Sequence, residues 1–126
     1  MNGDSKLDLL VSGQAGSAVG LYLGNGTGGF GAVMNQPTGL NPRSVTLGDI
    51  DGDGKLDFAS ANFGTTTVSL RLGNGTAFTG GGTQDYPVGT TPFTVAVGDV
   101  NGDGLVDMVS ANNGSNNLSV LLQQCK

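Results

Sequence analysis

An all-β fold of tandem four-stranded antiparallel sheets is predicted by three features of this sequence. An acidic pattern, Asp49-Ile-Asp51-Gly-Asp53-Gly54-Lys55-Leu-Asp57, returns 50 residues later as Asp99-Val-Asn101-Gly-Asp103-Gly104-Leu105-Val-Asp107. Self-similarity at a period of this size marks a repeat architecture. Between the copies lie short apolar runs set off by Gly, Asn, Ser and Thr, with 24 glycines and four prolines in 126 residues. That is the profile of many short strands joined by turns, and it leaves almost no room for helix. Finally, only 6% of the residues are aromatic and Trp is absent, so the core must be assembled from thin layers of Leu, Val, Phe and Ala.

Each repeat reads as four strands. Strand one is expected at Val45–Gly48 and Val95–Gly98, leading into the acidic loop. Strand two is expected at Leu7–Val11, Leu56–Ser60 and Val106–Ser110, and strand three at Ala18–Leu23, Thr67–Leu72 and Leu118–Leu122. Gly24-Asn-Gly26 and Gly73-Asn-Gly75 follow as hairpin signals, since Asn and Gly accept positive φ. Strand four is the weakest, near Phe30–Asn35 and Thr83–Val88, and Pro42 and Pro92 mark the crossing into the next unit. Four antiparallel strands in about 50 residues make a β-propeller blade.

The chain then divides into a partial blade at 1–42 (strands two to four), a complete blade at 43–92 and a partial blade at 93–126 (strands one to three). Propellers carry about four to eight blades, so these two and a half are not expected to close a ring within one chain. The end sheets would leave apolar faces exposed. Expected partners are copies of the same chain, as a ring or an open filament, or the remaining blades of a longer polypeptide. The start inside a repeat reads as a fragment, a processed product or an incompletely read gene.

Chemistry concentrates in the acidic loops. All ten acidic residues are Asp, and nine of them fall within three copies of the pattern. Carboxylates at alternate positions of a tight loop converge and repel unless a hard cation neutralises them, and calcium accepts six to eight oxygens in irregular geometry. The expected ligands are Asp49, Asp51, Asp53, Asp57 and the Lys55 carbonyl in the middle loop. In the last loop they are Asp99, Asn101, Asp103, Asp107 and the Leu105 carbonyl. Asn2, Asp4, Lys6 and Asp8 occupy the corresponding places at the start, where the opening ligand is missing and Ser5 stands in place of Gly54. An EF-hand is excluded: position twelve holds Ser60 or Ser110 rather than Glu, and the flanks are β-like.

Composition excludes further classes. The formal charge of −5 resides almost wholly in the loops, and two calcium ions, adding +4, would bring it to about −1. Lys6, Arg43, Lys55, Arg71 and Lys126 form no basic stripe, so nucleic acid is not an expected partner. No run is long enough to span a membrane as a helix, and no signal peptide is visible. Weak calcium loops need millimolar ion, which favours an extracellular or cell-surface setting. The lone Cys125 cannot form an internal disulfide. With no His and no base partner for Ser, nucleophilic catalysis lacks its groups, and no enzyme is expected. Asn25, Asn74, Asn113 and Asn117 open Asn-x-Ser/Thr sequons, candidate glycosylation sites.

The repeat resembles the FG-GAP/VCBS family, the calcium-binding blades of integrin α-like β-propellers that also occur in many bacterial secreted proteins. The likeness rests on Gly48-Asp-Ile-Asp-Gly-Asp-Gly-Lys-Leu-Asp57, Gly98-Asp-Val-Asn-Gly-Asp-Gly-Leu-Val-Asp107, Ser-Ala-Asn at Ser60 and Ser110, and Leu-Gly-Asn-Gly at Leu23 and Leu72. It implies calcium at the two complete loops, holding the turn between two strands without catalysis, and a calcium-stabilised structural or adhesion module. The alternative is a carbohydrate-binding propeller. For that, Tyr22, Tyr86, Phe63 and Phe93 are the available stacking groups, although the Phe residues are expected in the core.

Overall fold

Short runs of β-branched and apolar residues, each closed by Gly, Asn or Asp, give ten strands in the computed structural model, which describes residues 1–13, 15–78 and 83–124. Cys125 lies outside the described residues. The strands form three antiparallel sheets in chain order. The first holds β1 (Leu9–Ser12), β2 (Ala18–Tyr22) and β3 (Met34–Pro37). The second holds β4 (Pro42–Gly48), β5 (Asp57–Asn62), β6 (Thr67–Arg71) and β7 (Thr83–Pro87). The third holds β8 (Pro92–Gly98), β9 (Asp107–Asn112) and β10 (Asn117–Leu121). The described residues contain no closed barrel, only open sheets that stack like propeller blades.

Sheet faces alternate along each strand, so one face of each sheet packs on the next. Val19 and Leu21 of the first sheet meet Phe58 of the second, with Phe78 closing the cluster in an edge-to-face contact at 4.8 Å from Phe58. Ala59, Ala61, Val68 and Leu70 on the other face of the second sheet meet Val95 and Met108 of the third, with Ile50 joining from the acidic loop. Arg71 adds a polar staple between the first two sheets. It is 4% exposed, donates through Nε to the Pro37 carbonyl at 2.7 Å, and donates through Nη1 to the Leu70 and Gln84 carbonyls and to Asp85.

Pro42 and Pro92 stand where the chain crosses into the next sheet, and strand one begins at them, three residues earlier than expected, which suits a residue that cannot donate to the ladder at a strand's first position. The register shifts just after each, between Pro42 and Ser44 and between Pro92 and Thr94, which sets Arg43 and Phe93 out of the regular pleat. The Gly-Asn-Gly signals do not make tight hairpins. Asn25 and Asn74 instead accept backbone N–H groups through Oδ1, from Thr27 and Gly29 and from Thr76 and Ala77, and so build wider loops. In the first sheet this delays strand four to Met34.

Candidate metal centre

The acidic loops are the hairpin turns between the first two strands of a repeat. In the second sheet Gly48 pairs with Asp57, so Asp49 leaves β4 beside the residue that begins β5. The turn bends at Gly52 and Gly54, with φ of 79° and 84°, a region that side chains with a Cβ rarely adopt. Asp49 holds it closed, its Oδ1 accepting from Gly52 N and its Oδ2 from Gly54 N, both at 2.9 Å. Asp51 accepts from Asp53 N and Asp53 from Lys55 N, each two residues on. These bonds aim the side chains inward, and carboxylate oxygens of Asp49, Asp51 and Asp57 lie within 4.8 Å of one another.

Asp57 is fully buried and holds the site to the sheet. Its Oδ2 accepts from Ile50 N at 2.8 Å and Asp51 N at 3.2 Å, and its Oδ1 from Gly73 N at 2.8 Å, just beyond β6. Burial pushes its carboxyl above the ordinary carboxylate range, against the three N–H groups that favour the anion. Gly73 is required for this approach, since a Cβ there would overlap the Leu56 carbonyl oxygen. Asp53 faces the other way: its Oδ2 lies 2.5 Å from the Lys55 ammonium, which lowers the Asp53 pKa and raises that of Lys55.

The last loop repeats this scheme with changes. Asp99 accepts from Gly102 N, Asp103 N and Gly104 N, and the Gly104 bond leads the causes that lower its pKa. The Asn101 amide donates to Asp103 Oδ2 at 2.9 Å, in the place Lys55 takes in the middle loop, while Leu105 carries no charge. Asp107 is buried and accepts from Val100 N at 3.0 Å and Gln123 N at 2.9 Å. At the start of the chain, Asn2 accepts from Asp4 N, Asp4 accepts from Lys6 N, and the Lys6 ammonium lies 3.9 Å from Asp4 Oδ2. Asp8 accepts from Gly24 N and pairs with the Met1 ammonium; burial acts to raise its pKa, but that ammonium and the backbone donors bring it down. Ser5 adopts φ of 64° where Gly54 has 84°.

The second role of Asp8, Asp57 and Asp107, tying the loop to the end of strand three, was not foreseen from the sequence. Its signal is the matching 49-residue spacing of Asp8 to Asp57 and of Gly24 to Gly73. The aromatic candidates also differ from expectation. Phe63 and Phe93 lie outside both core clusters, their rings 6.4 Å apart, and the Arg43 guanidinium stands over both at 4.9 and 4.0 Å. Tyr86 packs against the second core, and Tyr22 lies over Gly20 on the outer side of the first sheet. Asn25, Asn74, Asn113 and Asn117 are all exposed.

The FG-GAP-like repeat matches the chain twice, over residues 1–60 and 49–110. This protein belongs to the FG-GAP-like repeat family. No curated protein and no solved structure gives a significant match. FG-GAP-like repeats commonly bind calcium, are typical of extracellular proteins and are not an enzymatic family. The donors gathered in the middle FG-GAP loop fit a hard divalent cation: they are anionic oxygens, convergent, and held from behind by backbone N–H groups. Among the described residues no helix is long and apolar enough to cross a membrane.

Proposed function

We propose that this protein is a calcium-stabilised structural module of adhesion type, working outside the cell, in which metal fixes the hairpin turns of successive blades. The reading is carried by one observation: three carboxylates from a single turn converge within 4.8 Å, and one of them is buried and hydrogen-bonded to the chain leaving the neighbouring strand β6. Asp49, Asp51 and Asp57 would hold the ion in the middle loop, joined by Asp53 once Lys55 releases it, and by the Lys55 carbonyl. Asp99, Asn101, Asp103, Asp107 and the Leu105 carbonyl would serve in the last loop, and Asn2, Asp4, Asp8 and the Lys6 carbonyl in the incomplete first. The bound ion supplies charge neutralisation and cross-linking; the residues themselves set the bend and transmit it to the strands.

A carbohydrate-binding role is less well supported, because Arg43 already covers the ring face of Phe93 that a sugar would stack on. Thermal unfolding with calcium and with chelator tests the proposal. Calcium is expected to raise the midpoint and to titrate in calorimetry with near two ions per chain. An unmoved midpoint together with no heat of binding would overturn it.

A further inference from the structure

The repeat allows each exposed apolar side chain to be compared with its own counterpart one sheet away. Val19 and Val68 are fully buried, yet Leu118 at the same place in the third sheet is 63% exposed. Leu21 and Leu70 are buried, and their counterpart Val120 is 45% exposed. The opposite faces show the reverse order. Phe58 and Met108 are buried where Leu9 in the first sheet is 44% exposed, and Ser60 and Ser110 are buried where Val11 is 46% exposed. Within the chain, the face bearing Leu21 is covered by the next sheet's face bearing Phe58, and the face bearing Leu70 by the one bearing Met108. The two open faces are therefore the two halves of a contact that the chain already makes twice.

We infer that the β8–β10 face of one copy receives the β1–β3 face of a second copy, head to tail, so that Leu9 and Val11 cover Leu118 and Val120. The surfaces suit each other in charge: β1–β3 contain no charged residue, and β8–β10 contain only Asp107, which is buried. Tyr22 and Val33, packed over Gly20, extend the apolar surface of the first sheet. The contact continues the internal stack without needing a new kind of interface. Two copies bring six sheets, within the range of about four to eight blades that close a propeller, whereas three copies would bring nine.

Sedimentation equilibrium of the 126-residue chain in calcium tests the inference, and because it reads mass rather than ion binding its failure is distinct from failure of the calcium reading. The expected mass is twice the 12.5 kDa of one chain. Leu118→Glu and Leu9→Glu should each return the mass of a single chain. Mixing them should restore the doubled mass, because each keeps the face the other has lost. If either variant loses its β-type circular dichroism, Val120→Lys and Val11→Lys provide the same complementary pair. A wild-type mass of 12.5 kDa at high micromolar concentration, as expected if further blades of one polypeptide cover these faces, would overturn the inference. So would a mixture that fails to recover.

Discussion

Replacing Asp57 with Ala separates the two roles assigned to that residue. In chelator the metal contributes nothing, and what remains is a buried carboxylate accepting from Ile50 N, Asp51 N and Gly73 N. Ile50 and Gly73 are buried, so their N–H groups would be stranded, at about 1–3 kcal/mol each, while Asp51 N sits nearer solvent and can be hydrated. Burial already opposes ionisation of Asp57, and removing the carboxylate relieves that term. The net loss is expected to be about 2–4 kcal/mol, a large part of the 5–15 kcal/mol typical of a domain. Asp53→Ala is the control: its side chain is exposed, its ion-pair partner is a surface lysine, and in chelator it should leave stability close to that of wild type. Urea unfolding of both variants, with and without calcium, measures this directly if the slopes match wild type. If Asp57→Ala in chelator proves as mild as Asp53→Ala, the tie between loop and strand end has no energetic weight and the account of the site is wrong.

Calcium at a hundredfold excess over its Kd adds about 2.7 kcal/mol per site, and with about 2.1 cal/mol/K of unfolding entropy per residue over 126 residues the midpoint should rise by about 10 °C per occupied loop; scanning calorimetry against chelator checks this. The pH response should differ between metal-free and loaded protein. Asp57, with its pKa raised above 3.8, stabilises the metal-free fold below that value and loses the contribution as pH rises through the folded pKa, whereas Asp53 and Asp99, with lowered values, stabilise above 3.8 and lose theirs as pH falls further. Acidifying from neutrality towards about pH 4 should therefore raise the metal-free midpoint while the calcium-induced shift shrinks through proton competition; a metal-free midpoint that falls steadily would contradict the Asp57 assignment. Arg71→Met leaves the Pro37 and Gln84 carbonyls without their donor and should cost about 2–4 kcal/mol in urea unfolding. Where the source glycosylates secreted proteins, intact-mass spectrometry should find glycan at the exposed Asn25 and Asn74 sequons, and unmodified mass in such material would exclude it.

Much of the architecture was legible because the acidic turns act as fixed markers. Once Asp57 and Asp107 are aligned, strands two and three fall into place within two residues, since each is an apolar run between turn residues. Strand four of the first sheet was harder to place, because Asn25 spends its side chain on a wide loop whose length a Gly-Asn-Gly string does not encode, whereas in the second sheet Thr83–Pro87 lies where it was expected. The start of strand one was harder to see for a related reason: Pro42 and Pro92 mark the crossing and also begin the strand, and the register shift at Arg43 and Phe93 breaks the pattern that would join them to Val45 and Val95. Within the site, the converging carboxylates were visible in the spacing, but the clamp from Asp57 to Gly73 joins residues 16 apart across a sheet. Sequence adjacency carries no trace of that bond.

The clamp also explains why metal in a surface turn can govern stability deep in the fold. A cation gripped only by exposed carboxylates would order eight or nine residues and little else. Asp57 belongs to two structures at once, since one oxygen serves the start of the turn and the other fixes the chain leaving β6. Ile50, held by the same carboxylate, is also the loop residue buried against Val95 and Met108 of the next sheet. Ordering the turn therefore orders the edge of the second core as well. In the third sheet the equivalent Val100 is 53% exposed, so the last loop lacks that coupling for as long as its outer face is uncovered. Calcium in the middle loop should accordingly protect amides of β5, β6 and β9 from hydrogen exchange, while calcium in the last loop should protect chiefly β9 and its own turn. Equal protection from both loops in a monomeric variant would mean that the ion acts through overall charge rather than through the Asp57 connection.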